Sequence, residues 1–199
     1  SKGIGKAIIA SLIEKNNIIN LSRTPPSLAH ENLTHYNCDI LTDELPQLDA
    51  VDTLIYCPGS INLKPISRLK LEDFRADFEI NVVGAVKAIQ QYLPLLKRGN
   101  TPSILLFSTV ASKLGMPYHA SVAAAKSGVE GLVKSLGAEL APTIRVNAIA
   151  PTVTDTDLAS KLLRNERMID SITERHPLKK FLNPTEVADM AAFLTSDSA

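Results

Sequence analysis

The sequence has little of what marks several large classes of protein. Its 199 residues contain no tryptophan and two cysteines, Cys38 and Cys57, which are too few for a disulfide framework and favour a reducing, cytoplasmic setting. Neither sign of charge is in excess, because 21 lysines and arginines balance 21 aspartates and glutamates. This balance predicts no nucleic-acid partner and no anionic membrane surface. Apolar runs stop well short of the roughly 18 residues that span a bilayer, and we expect no secretory leader.

What is present is typical of a globular protein. Apolar residues make up 45% of the chain and charged residues 21%, which excludes disorder. The length is close to that of one domain with a full core, so residues 1–199 are expected to form a single domain. No cluster of metal-ligating residues stands out, and we expect no metal.

Short apolar runs alternate with longer segments of helical periodicity. Strands are predicted at residues 18–21, 54–57, 104–107 and 144–149, with a weaker candidate at 35–38. Helices are predicted at 5–15, 71–96, 121–140, 157–175 and 185–194, with Pro94 as a candidate break. This pattern predicts an α/β fold: a doubly wound, Rossmann-type parallel sheet covered on both faces, in three layers. Segments 23–34 and 41–50 are short and contain proline, so loops are expected there instead of crossover helices.

Ligands of such sheets bind at the carboxyl ends of the strands. Gly3, Ile4 and Gly5 open the first predicted helix, where a glycine turn and free N–H groups suit a pyrophosphate. A plain turn is the alternative. Gly59 lies in a Pro-Gly turn after the strand at 54–57 and leaves room for a ligand.

The second candidate subsite follows the strand at 18–21. Ser22, Arg23 and Thr24 stand where an NAD site usually places an acidic residue for the ribose 2′-hydroxyl. Arg23 together with Lys2 could neutralise a 2′-phosphate, which favours NADP(H) over NAD(H); the alternative is two solvated cations. Asp39 could accept a hydrogen bond from an adenine amino group, or it could cap the next turn.

Several motifs in order resemble those of the short-chain dehydrogenase/reductase family over essentially the whole chain. SKGIG at 1–5 is similar to the end of the family's TGxxxGxG cofactor turn, and PG at 58–59 stands where the family has NNAG. NVVG at 81–84, STVAS at 108–112 and KSGVEGL at 126–132 resemble the segments of the active-site Asn, Ser and Lys. RVNAIAP at 145–151 resembles the stretch before the nicotinamide loop, with Thr156 at the position of the family's Thr.

This resemblance implies an NADP(H)-dependent oxidoreductase that acts on a small-molecule carbonyl or alcohol. It implies catalytic roles for Asn81, Thr109 and Lys126. The cofactor-binding residues implied or predicted are Lys2, Gly3, Ile4, Gly5, Ser22, Arg23, Thr24, Asp39, Gly59, Asn81, Lys126, Pro151 and Thr156.

The resemblance fails at the general acid. The family pairs a Tyr with a Lys four residues later, so that the ammonium lowers the pKa of the phenol. Counting back from Lys126 gives Val122 at the Tyr position and Thr109 at the Ser position. Tyr118 would share a stripe with Val122 and Lys126 if the helix began one turn earlier, and His119 is a second candidate donor.

Three interpretations stay open. Tyr118 or His119 substitutes for the missing Tyr; or Lys126 works through an ordered water while Thr109 positions the carbonyl; or the protein binds NADP(H) as a sensor or scaffold without catalysis. The first two keep an enzyme whose general acid catalysis, commonly worth about 10²–10⁴-fold, is weakened.

The resemblance also has implications for the two ends of the chain, for its assembly into oligomers and for a substrate lid. It places a first strand and first glycine before Ser1 and a last strand after Ala199. It implies a homodimer or homotetramer through the helices at 71–96 and 121–140, where small residues could allow close approach or could pack on the sheet. Residues 155–177 resemble a substrate lid whose Leu158, Leu162, Leu163 and Met168 could line an apolar pocket or pack down.

Overall fold

A computed structural model describes residues 2–160 and 162–199. Five strands are β1 (Ile18–Ser22), β2 (Leu33–Asn37), β3 (Thr53–Ile55), β4 (Ser103–Phe107) and β5 (Arg145–Ile149). The α-helices are α1 (Gly3–Leu12), α2 (Leu71–Phe78), α3 (Gly84–Leu96), α4 (Ala111–Leu114), α5 (Ala120–Leu140), α6 (Glu166–Arg175) and α7 (Pro184–Thr195). The predicted α/β class is therefore confirmed.

All strand pairs are parallel, in two sheets. β1 pairs with β2, with Ile18 opposite Leu33, while β4 lies between β3 and β5. Every residue of β4 is buried because it has a strand on each side and helices on each face. The carboxyl ends of β3, β4 and β5 meet at one edge.

Helices cover both faces, which confirms the three layers. On one face, α3 and α5 contribute Ile89 and Val129 to a core that also contains Ile104 and Leu106 of β4. On the other face, Ile8 of α1 packs with α7 against the alternate side chains of β4. Alternate residues of one buried strand thus reach opposite cores.

Several boundaries differ from those predicted. Segments 23–34 and 41–50 contain no helix, as expected, although β2 already begins at Leu33. The helix at 71–96 does not break at Pro94, since α3 continues to Leu96. A single helix over 157–175 is wrong: a short 3₁₀ turn at Asp157–Ala159 is separate from α6, which starts anew after Asn165. The side chain of Asn165 accepts a hydrogen bond from the Met168 amide, so it caps a new helix.

The change of helix geometry between α2 and α3 positions one side chain of interest. Residues Glu79–Val83 form a wider π-helical turn that joins the two helices. Asn81 and Val82 of this turn are buried. Such turns are frequent at functional sites because they redirect side chains without ending the helix.

Gly84 supplies the first prediction, because it packs directly on Tyr56. A Cβ at Gly84 would lie 2.3 Å from the Tyr56 hydroxyl, which donates a 2.6 Å hydrogen bond to the Ile80 carbonyl. We expect Gly84→Ala to lower the free energy of unfolding by about 1–3 kcal/mol, measured in urea. Gly131→Ala is the matched control, since a Cβ there meets nothing within 4 Å and should stabilise α5. Equal effects of the two substitutions would contradict the predicted clash.

Within the part of the chain that the structure describes, no helix has the length and apolar character that a membrane crossing needs. Among the same residues, no three His, Cys, Asp or Glu side chains are grouped so that they could hold a metal ion.

Candidate active site

Lys126 lies on the face of α5 that meets the carboxyl end of β4. Its Nζ donates a 2.8 Å hydrogen bond to the Phe107 carbonyl, and the residue is 9% exposed. Burial lowers its pKa to about 8, against the opposing effects of Cys57 and Asp77. Cys57 is a free thiol whose pKa burial raises to about 12, so it is neutral beside Lys126.

Gly59 and Asn81 complete the surroundings of the ammonium. A Cβ at Gly59 would lie 3.3 Å from Lys126 Nζ and 3.1 Å from Asn81 Oδ1, so the glycine keeps this space narrow but open. Asn81 Nδ2 donates to the Asp77 carbonyl (2.7 Å) and to Ser60 Oγ (3.1 Å). Asn81 Oδ1 is buried and has no hydrogen-bond partner among the described residues. A buried acceptor without a partner is unusual, and it suits a hydrogen bond from a ligand or its water.

The glycine turn at the start of α1 contacts the loop after β5. Gly3 has φ of +51°, a left-handed conformation that favours glycine, and a Cβ there would lie 3.0 Å from Thr156 Cγ2. A Cβ at Gly5 would lie 3.4 Å from the Cβ and 3.5 Å from the Sγ of Cys57, just beyond β3. The structure therefore brings the predicted pyrophosphate turn and Thr156 together. Lys2 lies 3.8 Å from Asp157, in an exposed ion pair.

Two residues predicted to bind the adenosine end of the cofactor, Arg23 and Asp39, lie side by side. Arg23 Nη1 lies 3.7 Å from Asp39 Oδ2, and the Arg23 side chain is 79% exposed. Asp39 Oδ1 accepts from the Leu41 amide, which is the turn-capping role that the sequence left open. Ser22 Oγ donates to the Thr24 carbonyl at 2.8 Å, which shapes the turn that carries Arg23.

The position of the missing Tyr and the residues that could replace its hydroxyl lie in different surroundings. Val122 is buried, four residues before Lys126 on α5. α5 begins at Ala120, so Tyr118 does not extend the stripe of Val122 and Lys126; it is 61% exposed with φ of +69°. His119 Nδ1 lies 2.7 Å from the Pro117 carbonyl. Thr109 Oγ1 accepts from the Ala111 amide at 3.3 Å.

Two loops meet beside Thr109. The Val110 amide donates to the Pro151 carbonyl at 3.2 Å, which joins the end of β4 to the loop after β5. Thr152 Oγ1 lies 2.5 Å from His176 Nε2, just beyond α6. The segment predicted to be a lid is thus attached at its far end to the loop that contains Pro151.

Sequence reasoning missed two polar clusters. Asp77 accepts hydrogen bonds from Ser60 Oγ and Ser121 Oγ, and a signal was present, since Asp77 precedes Asn81 by one helical turn. Glu130 accepts from Ser108 Oγ (2.8 Å) and pairs with Lys113 (2.7 Å). The hydrogen bond from Lys113 is the largest of the effects that lower the pKa of Glu130 to about 2.

Comparison with known proteins places this geometry in a family. A family profile described as enoyl-(acyl carrier protein) reductase matches residues 38–199. The 3-oxoacyl-(acyl-carrier-protein) reductase FabG of Thermotoga maritima is 30% identical over 204 aligned positions, which cover 98% of this chain and 82% of that protein. The chain belongs to the short-chain dehydrogenase/reductase family.

Further relatives define how far the likeness reaches. The FabG of Staphylococcus epidermidis is 30% identical over 162 residues, 81% of this chain, and the chain spans 66% of the length of that protein. The solved structure of the aldohexose dehydrogenase of Thermoplasma acidophilum is 25% identical and has a TM-score of 0.87, with 98% of this chain and 83% of that chain covered. The Rossmann-type fold is therefore shown. Solved structures of this fold include ones with NADP or NADPH bound.

The residues present fit a nicotinamide dinucleotide. The left-handed Gly3 at the start of α1 leaves N–H groups free for a pyrophosphate. At the other end, Gly59, the unpartnered Asn81 oxygen and the Lys126 ammonium line a narrow space. Lys126 has three donors, of which the Phe107 carbonyl takes one in the described structure, so the others suit ribose hydroxyls.

Proposed function

We propose that the protein is an NADP(H)-dependent oxidoreductase that transfers a hydride between the nicotinamide and a carbonyl or alcohol substrate. The observation that carries the proposal is the buried ammonium of Lys126, held beside the bare Cα of Gly59 and the unpartnered oxygen of Asn81. A buried ammonium is costly, and a ligand with hydroxyl groups would satisfy its remaining donors. Family membership supports the same reaction class.

The cofactor supplies the hydride when it is bound. Lys126 would hold the ribose and keep a positive charge near the reacting carbonyl, while Thr109 Oγ1 would position the substrate oxygen. Because the pKa of Lys126 is about 8, its Nζ can exchange a proton near neutral pH, through an ordered water. Tyr118 and His119 stay candidates for the same proton.

The preference for NADP(H) is supported by Arg23. Its guanidinium is exposed and follows β1 directly, where a 2′-phosphate would lie. Asp39, the acidic group nearest to it in the described ion pairs, accepts from the Leu41 amide through Oδ1, while its Oδ2 lies 3.7 Å from Arg23.

Assembly and location complete the proposal. We propose a homodimer or homotetramer through α2, α3 and α5, since α5 has exposed small residues and open space at Gly131. We place the protein in the cytoplasm because both cysteines are free, as is usual in a reducing compartment.

The experiment is NADPH oxidation by the full-length protein with ketones, aldehydes and quinones, together with NADPH and NADH affinity. We expect turnover that Lys126→Ala abolishes. We also expect Arg23→Ala to weaken NADPH binding by about tenfold while NADH binding stays the same, because it removes one charge-assisted contact. NADPH binding without turnover would contradict the enzyme and favour a cofactor-binding sensor or scaffold. Absence of binding would overturn the proposal entirely.

A further inference from the structure

Asp77 is a buried carboxylate for which the proposed reaction gives no role. It lies in the last turn of α2 and is 2% exposed. No cation lies within ion-pair distance of it among residues 2–160 and 162–199. A charged side chain is rarely retained in such a place without a function or a network that compensates it.

The compensation comes from two serine hydroxyls. Ser60 Oγ lies 2.5 Å from Asp77 Oδ1, and Ser121 Oγ contacts Asp77 Oδ2. Ser60 Oγ also accepts a hydrogen bond from Asn81 Nδ2, so its own proton is directed at the carboxylate. The Asp77 carbonyl accepts the other hydrogen bond of Asn81 Nδ2, at 2.7 Å.

These bonds join three segments that carry the site. Ser60 follows Gly59 in the loop after β3, and Asn81 lies in the π-helical turn. Ser121 lies in the first turn of α5, directly before Val122 and five residues before Lys126. One carboxylate therefore fixes the positions of all three segments around the space beside Lys126.

Asp77, after Cys57, is one of two acidic groups that raise the pKa of Lys126 against the effect of burial. Cys57, at the end of β3, is neutral because burial raises its pKa to about 12. Glu130, one turn further along α5, is paired with Lys113 at 2.7 Å. Asp73, one turn before Asp77, is paired with Lys64 at 2.8 Å. Asp77 is then the one acidic group of this set that has no cation of its own.

We propose that Asp77 is a positioning residue that ties the Gly59 loop, Asn81 and the start of α5 together and stabilises the protonated form of Lys126. The charge effect concerns the protein without any ligand, and only the consequence for NADPH affinity rests on the proposed function.

The first test measures Lys126 directly, by NMR titration of protein labelled at the lysine side chains, with Lys126→Arg for assignment. The pKa of Lys126 should be about 8 and should fall by about one unit in Asp77→Asn, which keeps the shape and removes the charge. Ser121→Ala keeps the charge, so its Lys126 pKa should stay that of the parent. An equal shift in both variants, or none in Asp77→Asn, would overturn the charge effect.

The second test measures position, and it holds even if Asp77→Asn does not fold. Ser60→Ala cuts the connection from the carboxylate to Asn81 without changing any charge. We expect NADPH affinity to fall by about three- to tenfold while the pKa of Lys126 is unchanged. Unchanged affinity would overturn the positioning role. Absence of NADPH binding in the parent would instead refute the proposed function and leave the NMR result valid.

Discussion

Val122→Tyr is expected to raise the rate of NADPH-dependent carbonyl reduction by about 10²–10⁴-fold over Val122→Phe. Residues 122 and 126 share one face of α5, so a phenol at 122 would lie beside the Lys126 ammonium. The positive charge would lower the pKa of the phenol and make it a proton donor to the substrate oxygen. The measurement is kcat/KM with the most reactive carbonyl found for the parent.

Val122→Phe is the matched control because Val122 is buried and either ring must be accommodated at the same cost. The two variants differ by one hydroxyl, so the ratio of their rates isolates proton transfer from packing. Equal rates would contradict the prediction and show that the proton already arrives by another route. Tyr118→Phe and His119→Gln in the parent would then identify that route.

The strand that the sequence predicts most directly is β4, whose five residues are all buried. The predicted bounds of β4 and β5 lie within one residue of those observed, and the apolar run of β4 is typical of a strand buried on both faces. The strand predicted at 54–57 begins one residue later and ends two residues later than the observed β3. The Tyr56 amide still donates to the Leu105 carbonyl of β4, while the Tyr56 hydroxyl donates to the Ile80 carbonyl in the π-helical turn, a tertiary contact that periodicity does not encode.

The sequence at 157–175 contains a helix N-cap residue that is incompatible with the single helix predicted there. Asn165 is a favourable helix N-cap, and its side chain does accept from the Met168 amide. Hydrophobic periodicity alone predicts one continuous helix that passes through Asn165. The π-helical turn at Glu79–Val83 differs, because a single inserted residue leaves the apolar pattern of α2 and α3 almost unchanged.

The candidate site likewise contains residues that the sequence predicts and one residue that it does not. Gly59, Asn81 and Lys126 belong to separate motifs that resemble those of the family, and the structure brings them within contact distance. Asp77 could not be found by such motifs, because its burial depends on hydroxyls 17 and 44 residues away in sequence. A lone acidic residue in a predicted helix is usually solvated, so the spacing of Asp77 from Asn81 is a weak signal and the tertiary structure decides its role.

Lys126→Met is expected to remove a rise in the free energy of unfolding between pH 8 and pH 10.5. The pKa of Lys126 is lowered from 10.5 to about 8 on folding, so in this range the unfolded chain retains a proton that the folded protein has lost. Stability increases with pH wherever the unfolded state binds more protons. The difference in unfolding free energy between parent and variant should therefore grow by about 3 kcal/mol, at about 1.36 kcal/mol for each unit of pKa.

Urea unfolding across this range measures the effect, and Lys134→Met, on the exposed side of α5, is the matched control that should follow the parent. A parent curve parallel to that of Lys126→Met would contradict the lowered pKa.

NADPH affinity should change in the opposite sense, because a ligand held by the ammonium is lost as Nζ deprotonates above pH 8. The pH at which the folded protein is most stable would then lie above the pH at which it binds best. Such a separation is expected when a buried charge is retained for a ligand, since the fold alone gains nothing from it.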